Sequence, residues 1–175
     1  KPKIRSPTRS LSGRLCCCMQ WNEFRSTIGH LSARQQTRVK NAFDLGGKAH
    51  GTQKRKSGEP YIIHPLATAY ILASMRIDPH IIVAALLHDV PEDTAVTLQE
   101  IEQNFGSDIA SMVGGITKLG KLKYRGAERY IENLRKMFVA MAEDVRVMII
   151  KFADRIHNLL TLDSLEPAKA RRVAM

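Results

Sequence analysis

Residues 78–93 read DPHIIVAALLHDVPED, and this stretch decides the fold. Asp78 followed by Pro79 is typical of a helix start, because proline suits the first helical turn. The run IIVAALL is apolar on every side of a helix, which is the pattern of a helix buried on all faces. Pro91 should end this helix near Val90. A helix buried on all faces predicts that other helices pack around it.

The rest of the chain repeats helical patterns. Of its 175 residues, 44% are hydrophobic and only 6% are aromatic, so one domain of ordinary size has an aliphatic core available. No stretch alternates as a half-buried strand would. Helix starts are indicated at or near Ser32, His64, Asp78, Thr97, Asp108, Glu128, Asp144 and Pro167. We therefore predict an all-α fold, a compact helical bundle.

Positive charge is concentrated near the N-terminus. The formal net charge is +10, but residues 1–58 carry 13 Lys or Arg against 2 acids, whereas the other residues carry 14 against 15. We predict that residues 1–31 are a basic, disordered N-terminal extension and that residues 32–175 are the folded domain. Residues 1–18 are acid-poor and rich in Arg and Ser. We interpret them as a tail, or as sequence upstream of an initiator at Met19, in preference to an organelle transit peptide.

Composition also narrows the classes of function. No apolar run approaches the roughly 18 residues of a membrane span, so no membrane partner is expected. The three cysteines are consecutive, which suits a reducing cytoplasm and fits neither a disulfide framework nor a zinc site. Zinc-finger spacing and aromatic-interleaved sheet patterns are absent, so no specific nucleic acid is expected. The basic segment is interpreted as solvated surface, with weak nucleic-acid binding or attraction of a polyphosphate toward Lys54-Arg55-Lys56 as alternatives.

A set of candidate metal ligands centres on the end of the buried run. His88 and Asp89 close that run, and His64 and Asp154 are the further candidates. Two imidazoles and two carboxylates suit manganese, iron, cobalt or zinc better than calcium. A lone His-Asp pair at a helix end is more often an ordinary surface feature, but charge beside a buried segment needs a partner or a metal.

Two carboxylates follow one turn later. Glu92 lies four residues after His88, and Asp93 lies four after Asp89. A cation lowers the pKa of the water it binds, and a carboxylate beside it can take or give a proton. On their own the two acids would be interpreted as solvated charge.

A polar stripe marks the last strongly apolar helix. Asp154, Asn158 and Thr161 are spaced to share one helical face. Such a stripe on a buried helix needs partners, which a metal and a bound nucleotide would supply; a hydrogen-bonded core stripe is the alternative. His157 lies off this stripe, so we leave it out of the ligand set.

These residues fall within longer motifs. The chain resembles the hydrolase domain of RelA/SpoT-type proteins and the small alarmone hydrolases over roughly residues 38–175. Five motifs in the family's order carry the resemblance: RKSGEPYIIHP (55–65), AALLHDVPEDT (84–94), TKL (117–119), NLRKM (133–137) and ADRIHN (153–158).

The resemblance implies an all-α HD-domain phosphohydrolase. It implies Mn²⁺-dependent removal of the 3′-pyrophosphate from guanosine 3′,5′-bis(diphosphate), the stringent-response alarmone, and from its pentaphosphate relative. The family's metal ligands fall on His64, His88, Asp89 and Asp154, its catalytic acidic pair on Glu92 and Asp93, and its nucleotide pocket on Arg55, Lys56, Ser57, Asn158 and Thr161. By analogy, Arg55 would flank the guanine and Lys56 would favour phosphate charge. A ribosome or a synthetase domain is expected as a partner only if the chain belongs to a longer protein.

Two positions depart from the family pattern. Pro91 stands where the family usually has a free amide, and Leu160 stands where arginine is common. Family domains usually continue with further helix, so we interpret a chain ending at Met175 as a truncated domain. Two alternatives stay open: an HD phosphohydrolase acting on another phosphorylated nucleotide, and a non-catalytic nucleotide-binding regulatory fragment.

Overall fold

Helices make up most of the described chain. A computed structural model describes residues 19–55, 58–120, 135, 138–139 and 142–161. Within these ranges the β structure is limited to one isolated antiparallel bridge between Lys54 and Pro60, so the all-α prediction is confirmed. The helices are α1 (Trp21–Thr27), α2 (Ala33–His50), α3 (Ile63–Ser74), α4 (Pro79–Leu87), α5 (Val90–Asp93), α6 (Leu98–Phe105), α7 (Ser107–Gly120) and α8 (Val145–Leu160).

The central helix is α4, as the opening stretch predicts. Every residue from Ile81 to Leu87 is buried, because α2, α3, α7 and α8 all pack against this helix. Asp78 caps its start by accepting a hydrogen bond from the His80 amide at 2.8 Å. The predicted end near Val90 is three residues late. Helix α4 stops at Leu87, and Pro91 instead lies in the first turn of the short helix α5, where its missing amide costs nothing.

Capping residues fix the other helix starts. Ser32 and Thr97 each form a capping box, with Gln35 and Glu100 respectively. Asp144 accepts a hydrogen bond from the Arg146 amide and so caps α8. These three predicted starts are confirmed. The helix predicted from Glu128 to Ala142 lies mostly outside the described residues, as do the loop predicted for 120–126 and the helix predicted from Pro167.

The N-terminal prediction needs a correction for residues 19–31. This segment is not a disordered extension: it forms α1, with Met19, Phe24 and Ile28 buried in the core. Helix α1 packs on α3, and Trp21 stacks on Phe43 of α2 with ring centroids 4.8 Å apart. Burying one side chain as large as Phe24 stabilises the folded state by about 1.5–3 kcal/mol, which favours the packing of this two-turn helix against the core. Residues 1–18 lie outside the described residues, so their disorder stays a prediction.

Helices α2 and α4 approach each other closely beside the candidate site residue His88. A Cβ at Gly46 would lie 3.3 Å from the backbone oxygen of Leu86 and 3.2 Å from Cδ1 of Ile62. The absence of that Cβ lets α2 lie against the end of α4, next to His88.

Among the helices of the described residues, none combines the length and the apolar character that crossing a membrane requires.

Candidate metal centre

Three side chains that can bind a metal lie close together at one buried point, and each comes from a different helix or helix end. His64 lies in the first turn of α3, His88 follows α4 directly, and Asp154 lies in the middle of α8. Their exposed fractions are 4%, 1% and 6%. One ligand atom from each lies within 4.8 Å of the others, so the group can hold a metal ion. The mutual packing of α3, α4 and α8 creates this group from residues up to 90 positions apart.

His88 supplies the observation that tests the fit of a cation. Its Nδ1 lies 2.7 Å from the Ala85 carbonyl oxygen, so Nδ1 carries the proton and donates it. In the neutral ring Nε2 is then a lone-pair acceptor, and this buried atom has no hydrogen-bond partner among the described residues. It lies 3.1 Å from Oδ1 of Asp89, another acceptor. Two acceptors at this separation repel unless a cation lies between them, so the donor set fits a metal.

His64 contacts the other members of the group formed by His64, His88 and Asp154, which we call the cluster, and it also contacts His157, which the sequence did not indicate. Its Nε2 lies 3.1 Å from Oδ1 of Asp154 and 3.6 Å from Oδ2 of Asp89. Its Nδ1 lies 2.7 Å from Nδ1 of buried His157. Burial lowers the pKa of His64, although the hydrogen bond with Asp154 opposes this shift. The neutral imidazole that results is the form that binds metals.

Asp154 stays ionised in spite of its burial. Burial alone would raise the pKa of its carboxyl group, but the hydrogen bond from His64 and the charge of Lys151 outweigh that effect and lower it well below its usual range. Nζ of Lys151 lies 2.9 Å from Oδ2, and Nδ2 of Asn158 donates to Oδ1 at 2.6 Å. Helical spacing explains both contacts, since Lys151 and Asn158 lie three and four residues from Asp154.

Asp89 lies beside this group, half-buried at the N-terminus of α5. It is not part of the compact three-residue group, but its two oxygens contact His88 and His64. Oδ2 also accepts a hydrogen bond from the Tyr61 hydroxyl at 3.0 Å. Burial and the Asp89 carboxylate raise the pKa of Tyr61 well above its usual value, so this hydroxyl keeps its proton.

Glu92 and Asp93 lie on α5, on the solvent side of the cluster. Both residues are exposed. Partial burial, and next the Asp89 carboxylate, raise the pKa of Glu92. Oδ2 of Asp93 lies 2.6 Å from the Tyr61 hydroxyl. The turn through Pro91 therefore keeps the acidic pair close to Asp89.

An arginine reaches the cluster from the loop that follows α2. Nη2 of Arg55 donates to Oδ1 of Asn158 at 2.9 Å, which links this guanidinium through Asn158 to Asp154. Nη1 of Arg55 also lies 3.7 Å from the largely buried Glu59 carboxylate. Thr161 follows α8, and its hydroxyl donates to the His157 carbonyl at 3.0 Å. Lys56 and Ser57, the other predicted pocket residues, lie outside the described residues.

Sequence reasoning missed three neighbours of the cluster. His157, Tyr61 and Lys151 contact His64, Asp89 and Asp154 respectively. Lys151 could have been found by its three-residue spacing from Asp154. No periodic signal marks the other two, because their contacts depend on how α3 packs against α8 and how the loop before α3 meets α5.

Comparison with known proteins agrees with this geometry. The family model described as HD domain matches residues 42–175. The chain belongs to the HD-domain family. The chain is 51% identical over 146 residues to the bifunctional (p)ppGpp synthase/hydrolase SpoT of Escherichia coli (strain K12), a match that covers 83% of this chain and 21% of the relative.

Two further similarities fall in the same group of proteins. A probable guanosine-3′,5′-bis(diphosphate) 3′-pyrophosphohydrolase of Synechocystis is 43% identical over 159 residues, covering 90% of this chain and 21% of the relative. A solved structure, described as a metazoan ortholog of SpoT that hydrolyses ppGpp and plays a role in starvation responses, matches with a TM-score of 0.62 and 26% identity. That match covers 81% of this HD-domain chain and 80% of the other. The chain spans about a fifth of the length of the curated relatives named here.

Proposed function

We propose that this HD domain is a metal-dependent hydrolase that removes the 3′-pyrophosphate from guanosine 3′,5′-bis(diphosphate) and its pentaphosphate relative. The observation that carries the proposal is the hydrogen-bonded link from Arg55 through Asn158 to Asp154. It sets a guanidinium, a good partner for phosphate or a purine face, beside a group able to hold a metal. The names of the relatives supply the substrate.

We assign the metal to the cluster at the end of α4. His64, His88 and Asp154 would hold it, with Asp89 as a fourth ligand, and Mn²⁺ is the proposed ion because mixed imidazole and carboxylate donors suit it. A divalent cation there would act as a Lewis acid toward the phosphoryl group and make water a usable nucleophile near neutral pH.

The consecutive cysteines suit action in a reducing cytoplasm.

The chain's own residues would then bind substrate and move protons. Glu92 and Asp93, exposed beside the cluster, would exchange protons with the attacking water and the leaving pyrophosphate. Arg55 would flank the guanine, and Lys56, Ser57, Asn158 and Thr161 would complete the nucleotide pocket. When an anionic ligand engages Arg55, it competes with the Glu59 carboxylate, which already shares that guanidinium.

An assay of pyrophosphate release tests the proposal. Purified protein, shown to be folded by circular dichroism, is incubated with Mn²⁺ and the guanosine tetraphosphate. We expect release that depends on Mn²⁺, that Asp89→Ala abolishes, and that Glu92→Gln lowers roughly a hundredfold in kcat. Asp44→Asn, which changes a partly exposed carboxylate on α2 paired with Lys40, is the matched control and should retain full rate.

Two results would contradict the proposal. Nucleotide binding without any release by the folded wild type would indicate a non-catalytic regulatory module. Release from other phosphorylated nucleotides, but not from the tetraphosphate, would indicate a different substrate.

A further inference from the structure

One hydroxyl group bridges the metal cluster and the acidic pair. Oη of Tyr61 lies 3.0 Å from Oδ2 of Asp89 and 2.6 Å from Oδ2 of Asp93. Asp89 immediately precedes α5 and Asp93 is its last residue, and Tyr61 approaches both from the loop before α3. The contact therefore joins α5 to the loop before α3.

The Tyr61 ring is itself fixed in place. It stacks on the imidazole of buried His50 with ring centroids 4.4 Å apart and an interplanar angle of 22°. It also lies perpendicular to the His64 ring, with ring centroids 6.4 Å apart. A ring held between two histidines cannot swing its hydroxyl group away without breaking both contacts.

Gln53 makes a second connection between α5 and the loop before α3, and it also contacts the end of α2. Its Oε1 lies 2.9 Å from Nδ1 of His50, and its Nε2 donates to the Asp93 carbonyl oxygen at 2.9 Å. Its own carbonyl oxygen accepts from the Tyr61 amide at 2.9 Å. The end of α5 is thus held at two points of Asp93, its carbonyl oxygen by Gln53 and its carboxylate by Tyr61.

We propose that Tyr61 is a positioning residue, whose hydroxyl group joins Asp89 to Asp93 and so fixes the acidic pair relative to the metal ligands. The proposal rests on the proposed function, since it takes Asp89 as a ligand and Asp93 as a member of the catalytic pair.

Charge explains why such a bridge is needed. Two carboxylates repel each other, and without a donor between them each turns toward water. A phenol has a single proton, so it can donate fully to only one of the two oxygens. In the metal-free protein the hydroxyl group therefore divides its donation between them, which holds the Asp89 carboxylate in place before a cation binds. The same hydroxyl group sets the direction of the Asp93 side chain.

Tyr61→Phe tests the bridge, because it removes one oxygen and keeps the ring between the histidines. Titration with Mn²⁺ alone, followed by calorimetry, should show binding weakened about tenfold or more, the usual cost of losing a hydrogen bond to a metal ligand. With nucleotide, kcat should fall about tenfold or more while KM changes less than twofold. Tyr70→Phe, which removes a hydroxyl elsewhere on α3, is the matched control and should change neither quantity.

A double-mutant cycle separates positioning from direct action. If Tyr61 acts through Asp93, adding Tyr61→Phe to Asp93→Asn should cost little further kcat. Unchanged Mn²⁺ affinity and kcat in Tyr61→Phe would overturn the proposal. A KM increase at constant kcat would also overturn it, because it would mark Tyr61 as a substrate contact. So would a Tyr61→Phe change that lowers kcat by the same factor in the Asp93→Asn protein as in the wild type.

Two outcomes require a further measurement: a Tyr61→Phe variant that does not fold, and a wild type that binds Mn²⁺ without releasing pyrophosphate. If Tyr61→Phe does not fold, Gln53→Leu removes the second fastening of α5, and it should lower kcat without changing KM; an unchanged kcat would then contradict the proposal. If the wild type binds Mn²⁺ but releases no pyrophosphate, the proposed function fails, whereas the Mn²⁺ titrations of wild type and Tyr61→Phe still decide the role of Tyr61.

Discussion

At the scale of single residues, the site depends on which nitrogen of each histidine carries its proton. The Ala85 carbonyl decides this for His88, because it accepts from Nδ1 and leaves Nε2 facing the cluster. His157 can do the same for His64. The two Nδ1 atoms lie 2.7 Å apart, and only one proton can lie between them. A cation that replaces the hydrogen bond between His64 Nε2 and Asp154 requires that proton to lie on Nδ1 of His64, facing His157.

His157→Phe should therefore weaken metal binding. The change removes the acceptor for His64 Nδ1, and we expect Mn²⁺ affinity, measured by calorimetry, to fall about tenfold. His157→Gln, which keeps a side-chain acceptor, should lose less. Because His157 is buried, the thermal melting of each variant must be measured alongside. Equal Mn²⁺ affinity in all three proteins would show that His157 does not control the His64 tautomer.

Sequence patterns indicate the candidate metal ligands but not the residues that contact them. His64, His88 and Asp154 could be picked out because paired imidazoles and carboxylates beside buried segments have few structural uses. Asp89 was predicted as an equal ligand, whereas the structure places it at the edge of the three-residue group. His157 was set aside because it lies off the polar stripe of α8. Its contact with α3 depends on helix packing, which helical phase alone does not reveal.

At the scale of helices, the close packing of α2 against α4 depends on one glycine. At Gly46, a methyl group would meet the Leu86 backbone, which cannot move without shifting α4. At the next position, Gly47, the nearest atom to an added Cβ is Cγ1 of Ile62 at 4.0 Å, an ordinary contact. Two adjacent glycines in one helix thus have different roles.

Gly46→Ala and Gly47→Ala should change stability in opposite directions. We expect Gly46→Ala to lower the free energy of unfolding by about 1–3 kcal/mol, because it overpacks the interface. We expect Gly47→Ala to raise it by about 0.5–1 kcal/mol, because alanine favours helix more than glycine does. Urea denaturation measures both. A stabilising Gly46→Ala would mean that α2 and α4 can separate at no cost.

Helix starts were predicted well because capping is a local interaction. Ser32, Asp78, Thr97 and Asp144 each accept a hydrogen bond from an amide two or three residues ahead, so their role can be read from a few neighbouring residues. The end of α4 and the whole of α1 were not predicted. Helix α1 is short, and it is stable because Phe24 and Ile28 are buried against other helices, which its own sequence does not disclose.

At the scale of the whole molecule, an ion-pair network fastens α7 to α8. Arg146 of α8 contacts the Asp108 carboxylate at 2.7 Å and the Asp144 carboxylate at 2.8 Å. The hydrogen bonds from Arg146 lower the pKa of both acids. An acid whose pKa is lower in the folded state stabilises the fold above its unfolded pKa, and the stabilisation is lost as the pH falls through its folded pKa.

Asp108→Asn should therefore destabilise the protein near neutral pH and matter less in acid. Near pH 7 we expect a loss of at most about 1 kcal/mol, since this pair is largely solvent-exposed. The difference between wild type and variant should shrink below about pH 4, where an ordinary aspartic acid becomes protonated. Urea denaturation across this range measures it. A difference that stays constant with pH would show that the charge of Asp108 contributes nothing.

The full burial of α4 has a consequence for motion. An amide in a helix covered on all faces exchanges its hydrogen only when large parts of the protein open together, so α4 should belong to the slowest-exchanging part of the described chain. His88 and Asp89 extend from the end of that helix. Their geometry is thus set before any ligand arrives, and little ordering entropy remains to be lost when a cation binds.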